Sequence, residues 1–360
     1  MDKKKKVAII GSVGLPANYG GFETMVNYLT IEKNEIIDFT VFCQATPKNK
    51  QLKTYNGCKL KYLPFKANGG QSIIYDITAI ILSWFKYDAI LILGTPGCVI
   101  LPFLNFFKKT KTIVNFGGLE WKRNKWGRFI QWYLKFTEKT AISSATVVVA
   151  DNQYFCNYIK KTYNKESFLI EYGGDHTTLQ KKNKELLKKY PFLNDKYDVS
   201  ISRAQVDNNL HVVIEAYIKL PTRNLVLVSN YDKFEYGREL KVKYSHYPNI
   251  YLQDAVYNLK EVDTIRSNAD VYIHSHTYCG TAPSLVEAMH LNLPIIAFNM
   301  PTNHNTTEEK ALYFSTVDEL FNIVNNLNSI EEFELSKSMK EIALRRYTWS
   351  RISNLYASHF

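Results

Sequence analysis

Ala269-Asp-Val-Tyr-Ile-His274-Ser-His276-Thr-Tyr-Cys279-Gly280-Thr281-Ala282-Pro283-Ser284-Leu285-Val286-Glu287-Ala-Met289-His-Leu-Asn-Leu293-Pro294-Ile-Ile-Ala-Phe-Asn299 is the stretch on which the fold turns. Residues 269–273 are β-branched and aromatic, which predicts a buried strand. A Gly-Thr-Ala turn follows, and Pro283 suits the first turn of a helix because its missing N–H costs nothing there. Leu285, Val286, Met289 and Leu293 give that helix a buried face, and Pro294 opens the next strand. Glu287 sits one turn in, near a helix start at the C-terminal end of a strand, where open α/β sheets bind ligands. The turn's N–H groups and the helix dipole suit a phosphate, and the carboxylate suits sugar hydroxyls.

The same alternation runs through the whole chain. Strands are predicted at 7–10, 39–43, 60–64, 89–93, 112–115, 146–150 and 168–170, with helices such as 24–29, 72–85 and 129–140 between most of them. A second series follows at 198–201, 225–228, 250–252, 269–273 and 294–297. Two doubly wound parallel sheets are expected, and 360 residues suit two domains. The polar stretch 177–189 is read as their connection. Residues 347–360, with Trp349, Ile352, Leu355 and Tyr356, form an amphipathic helical pattern.

Composition narrows the class. Hydrophobic residues make up 46% and charged residues 22%, a globular balance. The five cysteines are scattered without metal spacing, and no leader precedes the first strand, so a reducing, cytoplasmic site is expected. The longest apolar run, 73–104, is broken by Lys86, Asp88 and a Gly-Thr-Pro-Gly turn, so no membrane span is expected. Residues 1–180 hold 24 Lys and Arg against 13 Asp and Glu, whereas 181–360 hold 21 of each. The whole net charge of +11 therefore sits in the first half.

Residues 274–299 resemble the donor-site motif of family-4 retaining glycosyltransferases, which have the GT-B fold. That resemblance implies an α/β architecture of two Rossmann-like doubly wound domains facing a cleft. Residues 1–175 form the acceptor-binding domain, 176–345 the nucleotide-sugar domain, and 346–360 a C-terminal helix crossing back to the first domain. It implies that the start of the helix, Gly280, Thr281, Ala282, Pro283, Ser284 and Leu285, holds the donor's diphosphate, and that Glu287 binds the nucleotide's sugar. The common motif has a second glutamate where this chain has Cys279. Gly-Thr-x-Pro-Ser-Leu preceded by His274 and His276 is instead similar to a bacterial rhamnosyltransferase-like branch.

Other segments carry the same resemblance. Leu15-Pro-Ala-Asn18-Tyr19-Gly20-Gly21-Phe22-Glu-Thr24 is similar to the N-terminal loop of that branch, which lines the cleft near donor phosphate and acceptor. A dinucleotide reading of Gly11-x-x-Gly14-x-x-Ala17 fits poorly, because the helix starts late and the second strand ends at Cys43-Gln44 without a ribose-binding acid. After the strand at 198–201 the family has an arginine and, five residues on, a lysine. Arg203 matches, but Asn208 stands at the lysine position. Asn115-Phe-Gly117-Gly118-Leu-Glu120-Trp resembles a further stretch in which the branch has aspartate at the position of Gly117. Glu171-Tyr-Gly-Gly-Asp-His176 resembles the family's hinge, with the glycines as a flexible turn.

The resemblance thus assigns catalytic roles to Glu287, Arg203 and Gly21; Glu120, the carboxylate remaining near Gly117, is a further catalytic candidate that reads equally as a cap of the helix start. It assigns donor contacts also to Gly20, Asn208 and His276, and an acceptor side to Asn18, Tyr19, Phe22, Gly118 and Glu120. His274 and His276 alternate along a strand end, so they are predicted to face opposite sides and not to share a metal. His304 and Asn305 are weaker donor candidates, and Asp151-Asn152 reads as a helix cap. No Asp-x-Asp motif is present, so no cofactor and no divalent metal are expected.

The implied activity is metal-independent transfer of a sugar, L-rhamnose from dTDP-rhamnose being favoured, with retention. The acceptor is a saccharide, lipid-linked on polyprenyl diphosphate, in assembly of capsule, O-antigen or other surface polysaccharide. Trp121, Lys122, Arg123, Lys125, Trp126, Arg128, Phe129, Trp132 and Tyr133, after Lys108, Lys109 and Lys111, suit an anionic membrane surface better than nucleic acid. The chain is then peripheral at the inner face of the cell membrane. Two alternatives stay open: a GT-B nucleotide-sugar epimerase, and a non-catalytic partner protein that binds nucleotide sugar or membrane. Glu287→Ala is expected to abolish transfer without unfolding the protein.

Overall fold

A computed structural model describes residues 4–17, 20–32, 35–107, 110–123 and 126–360. It divides the chain into two compact units, Met1–Tyr172 with Trp349–Phe360, and Gly173–Thr348. The sequence places these boundaries at 175/176 and 345/346.

Unit 1 is built on eight strands: β1 (Lys5–Ile10), β2 (Ile37–Cys43), β3 (Thr54–Tyr55), β4 (Cys58–Tyr62), β5 (Ala89–Leu93), β6 (Lys111–Asn115), β7 (Val147–Ala150) and β8 (Phe168–Leu169). Their spatial order is β3-β4-β2-β1-β5-β6-β7-β8. All pairings are parallel except β3 with β4. That edge hairpin turns on Asn56-Gly57, both at positive φ, the geometry a two-residue hairpin needs. β1 and β5 are central, with Val7 opposite both Phe39 and Ala89. Covered on both faces, β5 reads Ala-Ile-Leu-Ile-Leu without alternation and is wholly buried.

Helices α1 (Gly21–Ile31), α2 (Ser72–Trp84), α3 (Leu101–Phe107), α4 (Arg128–Ser144) and α5 (Gln153–Tyr163) complete the unit's layers. One core joins Tyr75, Ile80 and Trp84 of α2, Leu101 and Leu104 of α3, Ile142 of α4 and Ile159 of α5 over one face of the sheet. The C-terminal helix Trp349–Ala357 belongs to this unit. Trp349 stacks on Tyr28 of α1 at 5.1 Å, Asn115 Nδ2 donates to Tyr356 Oη at 2.7 Å, and Ser353 Oγ donates to the Glu32 carbonyl at 3.2 Å.

Unit 2 carries β9 (Tyr197–Ile201), β10 (Asn224–Ser229), β11 (Ile250–Asp254), β12 (Tyr272–His274), β13 (Ile295–Phe298) and β14 (Leu312–Phe314). They form one parallel sheet in the order β11-β10-β9-β12-β13-β14. Helices α6 (Lys184–Lys189), α7 (Leu210–Ile218), α8 (Glu235–Tyr244), α9 (Leu259–Ser267), α10 (Pro283–His290), α11 (Pro301–Thr307), α12 (Val317–Asn326) and α13 (Ser329–Arg346) surround it. The 177–189 stretch is not a free connection. Thr178 N donates to Asp263 at 3.0 Å and Gln180 N to Ser267 at 3.2 Å, which fastens it to α9. In β9, Asp198 is fully buried and spends its charge on Arg223 while accepting from Tyr217 Oη.

Candidate nucleotide-sugar site

In each sheet the strand order reverses once, and open α/β sheets bind ligands outside the C-terminal ends of the two strands flanking such a point. In unit 2 the reversal lies between β9 and β12, whose ends deliver Arg203 and His276. In unit 1 it lies between β1 and β5.

The two loops of unit 2 are stitched together. Asn208 Nδ2 donates to the Arg203 carbonyl at 2.8 Å, and Ser275 Oγ donates to the Asn208 carbonyl. Asn209, in the left-handed region, donates to the Ser275 carbonyl at 3.1 Å and to Thr277 Oγ1 at 2.7 Å. Thr277 N donates to the Asp207 carbonyl at 3.1 Å. Asn208, buried where the family pattern has a lysine, is thus a brace that fixes the main chain of exposed Arg203. A carboxamide does this work in a dry position where an ammonium would be desolvated.

Beyond His276 the chain passes Gly280 and buried Thr281 and Ala282 into α10, with Ala282 as N-cap and Pro283 in the first turn. Ser284 and Leu285 follow within that turn, Leu285 facing the core. The positive end of the helix dipole is therefore presented beside the β12 end. Tyr272 Oη, donating to the Ile201 carbonyl at 3.2 Å, ties β12 to β9 beneath it.

His274 and His276 do not face opposite sides. Their rings stack at 4.4 Å and their Nδ1 atoms lie 3.2 Å apart. β12 ends at His274, so the period of two stops before His276. His274 is fully buried, and burial, with a smaller effect of His276, holds its pKa well below the usual value. Among the described residues its buried Nε2 has no hydrogen-bond partner. An unpaired lone pair costs less there than an unpaired N–H, so hydrogen bonding assigns the His274 proton to Nδ1, donating to His276 Nδ1. His276 then keeps its own proton on Nε2 and is a donor at that atom.

Glu287 is buried and already has protein partners on both oxygens. His176 Nε2 lies 3.3 Å from Oε1, and Arg266 Nη2 pairs with Oε2. Burial alone pushes this carboxyl up, but Arg266 and His176 outweigh it and hold it below the ordinary glutamate range. Arg266 is itself buried and lies 3.6 Å from Asp263, whose carboxyl burial raises against the pull of the Thr178 N–H and Arg266. Neither His176 nor Arg266 was selected from sequence. The hinge turn delivers the first: Thr177 N bonds the Gly174 carbonyl at 3.3 Å. Gly174 is a close-packing residue, since a Cβ there would come within 2.9 Å of the Val286 carbonyl on α10. His304 is tied to Glu309 and, at 2.8 Å, to Asn299, with its ring on Tyr313, and Arg346 bonds the Asn305 carbonyl at 3.0 Å.

In unit 1 the loop after β1 is shaped by glycines and one carboxylate. Glu23 of α1 reaches back, and its Oε1 accepts from Val13 N at 2.8 Å. A Cβ on Gly20, at φ 134°, would fall 1.9 Å from Glu23 Oε2, so only glycine fits at this start of α1. Gly21 opens the helix, and Phe22 approaches the β6 loop, where a Cβ on Gly117 would lie 3.3 Å from Phe22 Cζ. Gly118, at φ 101°, packs against Phe155. Glu120 is spent on Arg123 at 3.3 Å and the Trp126 indole N–H at 3.2 Å, a partly exposed clasp worth under about 1 kcal/mol. Asn152 caps α5 by accepting from Tyr154 N at 3.0 Å. Asn18, Tyr19, Lys108, Lys109 and Lys125 lie outside the described residues. Sequence reading also passed over Asp76 of α2, buried against the loop after β5. A Cβ on Gly97 would sit 2.2 Å from its Cβ, and burial pushes its carboxyl up to about 8.

Among the described residues no group of three or more His, Cys, Asp or Glu is placed to hold a metal ion.

Residues 182–344 match the family of glycosyl transferases group 1, and residues 4–175 match a domain of unknown function, DUF1972. No curated protein matches the chain. Its fold is that of GT-B glycosyltransferases. Sucrose-phosphate synthase from Thermosynechococcus elongatus aligns with a TM-score of 0.81 at 16% identity, over 99% of this chain and 98% of that one. Alr3699/HepE of Anabaena in complex with UDP and glucose aligns at 0.77 and 16%, over 98% of each chain. A UDP-bound MnaA of S. aureus aligns at 0.67 and 15%, over 99% of this chain and 95% of that one.

Proposed function

From a second unit that matches glycosyl transferases group 1, we propose that this chain transfers a sugar from a nucleoside-diphosphate donor held at the β9/β12 crevice. The observation that carries the reading is the stitched pair of loops, which sets an exposed arginine, the stacked His274–His276 pair and the start of α10 at one switch point. A departing diphosphate takes the electron pair of the broken glycosidic bond, and its growing charge is met by Arg203 and the helix terminus. The acceptor oxygen forms the new bond and gives up its proton to the departing diphosphate, whose oxygen has gained the electron pair.

UDP and UDP-glucose complexes of HepE support the donor class. The resemblance of 274–299 and of 15–24 to the rhamnosyltransferase-like branch supports dTDP-L-rhamnose, retention and metal independence. It also supports a polyprenyl-diphosphate-linked saccharide acceptor met through unit 1, at the inner face of the cell membrane during surface polysaccharide assembly. The acceptor side is assigned to Gly20, Gly21, Phe22 and Gly118; the approach of Phe22 to Gly117, where a Cβ would lie 3.3 Å from its Cζ, supports grouping the two loops.

A second reading, binding of a nucleotide sugar without transfer, is favoured by one observation: Asn208 braces the loop where the family pattern supplies a second cation.

A thermal-shift panel of dTDP-rhamnose, UDP-glucose, UDP-GlcNAc, GDP-mannose and free nucleotides, without added metal, tests the donor. A ligand that binds only the folded state at 100-fold excess over Kd stabilises by about 2.7 kcal/mol. The expected result is a selective rise in Tm with one nucleotide sugar. No rise with any member contradicts the donor reading, and a rise without transfer to any acceptor favours the second.

A further inference from the structure

Among the described residues of unit 1, α3 and α4 leave six aromatic rings in water. On α4, Phe129, Trp132 and Phe136 follow one another at three- and four-residue steps and form one ladder, with ring centroids 5.9 Å apart at each step. On α3, Leu101 and Leu104 point into the core while Phe103, Phe106 and Phe107 form an edge-to-face cluster at 5.0 and 5.5 Å. Phe106 is 86% exposed, Phe129 76% and Trp132 62%. The two helices are neighbours, with Asn105 Nδ2 donating to the Ser144 carbonyl at 3.0 Å. Isolated apolar residues on a surface are ordinary, but a cluster of exposed aromatic rings on each of two neighbouring helices is not.

The charge around them has one sign. Residues 101–144 hold nine Lys and Arg against two acids. Both acids are consumed internally: Glu120 by Arg123 and Trp126, and buried Glu138 by Lys135 and the hydroxyls of Tyr158 and Tyr163. Lys122, Arg128 and Lys139 are exposed. Trp121, Trp126 and Tyr133, which sequence reading grouped with this face, serve the fold. Trp126 holds Glu120, Tyr133 donates to the Pro96 carbonyl at 2.9 Å, and Lys135 Nζ sits 4.5 Å over the Trp121 ring.

We propose that the α3–α4 face docks on an anionic phospholipid bilayer, with Phe103, Phe106, Phe107, Phe129, Trp132 and Phe136 seated at the headgroup level. Aromatic side chains favour that depth, and surrounding cations are drawn to acidic headgroups. Among the described residues no helix is long and apolar enough to cross a membrane, so the contact is interfacial. A second copy of the chain is disfavoured as occupant, because a two-fold contact would set the same cations against each other. This face belongs to unit 1, so failure of its test leaves the donor reading of unit 2 standing.

Flotation of the full chain with phosphatidylcholine vesicles, alone or with phosphatidylglycerol, reads the proposal directly. The wild type is expected to float only with the anionic vesicles. The Phe106→Ser/Trp132→Ser and Arg128→Glu/Lys139→Glu variants are each expected to lose at least about tenfold in partitioning, with unchanged Tm. Equal flotation with neutral vesicles, no flotation of the wild type, or an aromatic variant that floats like the wild type overturns it. So does a sedimentation-detected dimer that the aromatic substitutions dissolve.

Discussion

Glu287→Ala is expected to lower the Tm of unit 2 by on the order of 10 °C, because it strands a buried cation. Removing one partner of a buried pair costs about 3–5 kcal/mol, and Arg266 would lose the carboxylate that holds it in a dry position. The expectation from sequence is a folded but inactive Glu287→Ala protein; with Arg266 and His176 paired to this carboxylate, loss of activity in that variant does not by itself report donor binding. Glu287→Gln keeps the volume and an oxygen for Arg266, and is the variant that separates the two roles. Acid acts in the same direction. The carboxyl is held below its ordinary range, so its stabilising contribution is present above about pH 4.5 and disappears as pH falls through the folded value. Differential scanning calorimetry of both variants checks this. An alanine variant as stable as the wild type would falsify the network's structural role.

Asp76→Asn is expected to do the opposite and stabilise unit 1. The buried carboxyl titrates at about 8, well above its usual 3.8. A group raised in this way is tolerated while protonated and costs stability as pH rises from the unfolded to the folded value. Against the asparagine variant, the wild type should therefore lose about 1.4 kcal/mol per pH unit between roughly pH 4 and 8, and no more above that. The gain from Asp76→Asn at pH 7 is at most about 4 kcal/mol, several degrees in Tm. Melting curves from pH 5 to 9 check the widening gap. A pH-independent difference, or an asparagine variant that melts lower, contradicts it.

The parallel sheets were legible because their strands are apolar runs bounded by turns, and β5 and β9 lie where the pattern puts them. Two short strands escaped. β14 spans Leu312–Phe314 and offers no period to count, and β3 has only two residues, although Asn56-Gly57 is a hairpin signal in its own right. The site was legible where it is local, as in residues 280–287 on a single turn and helix. It was not legible where distant segments meet. Arg266 reaches Glu287 across 21 residues, and His176 across 111. A signal existed for Arg266, which lies on the same buried face of α9 as Val262 and Ile265, and for Asp76, the lone acid of an otherwise apolar helix. The histidine pair misled because the alternation rule was carried past the last paired residue of β12.

Isothermal titration of the wild type and Arg203→Ala with the donor selected by the thermal-shift panel tests the central assignment most directly. Arg203 is exposed and Asn208 holds its main chain, so the Tm of the alanine variant is measured beside its Kd to separate loss of binding from loss of fold. A charge-assisted contact to diphosphate is worth about 1.5–3 kcal/mol, so Kd should rise roughly tenfold to a hundredfold. An unchanged Kd would mean that the β9/β12 crevice does not hold the diphosphate.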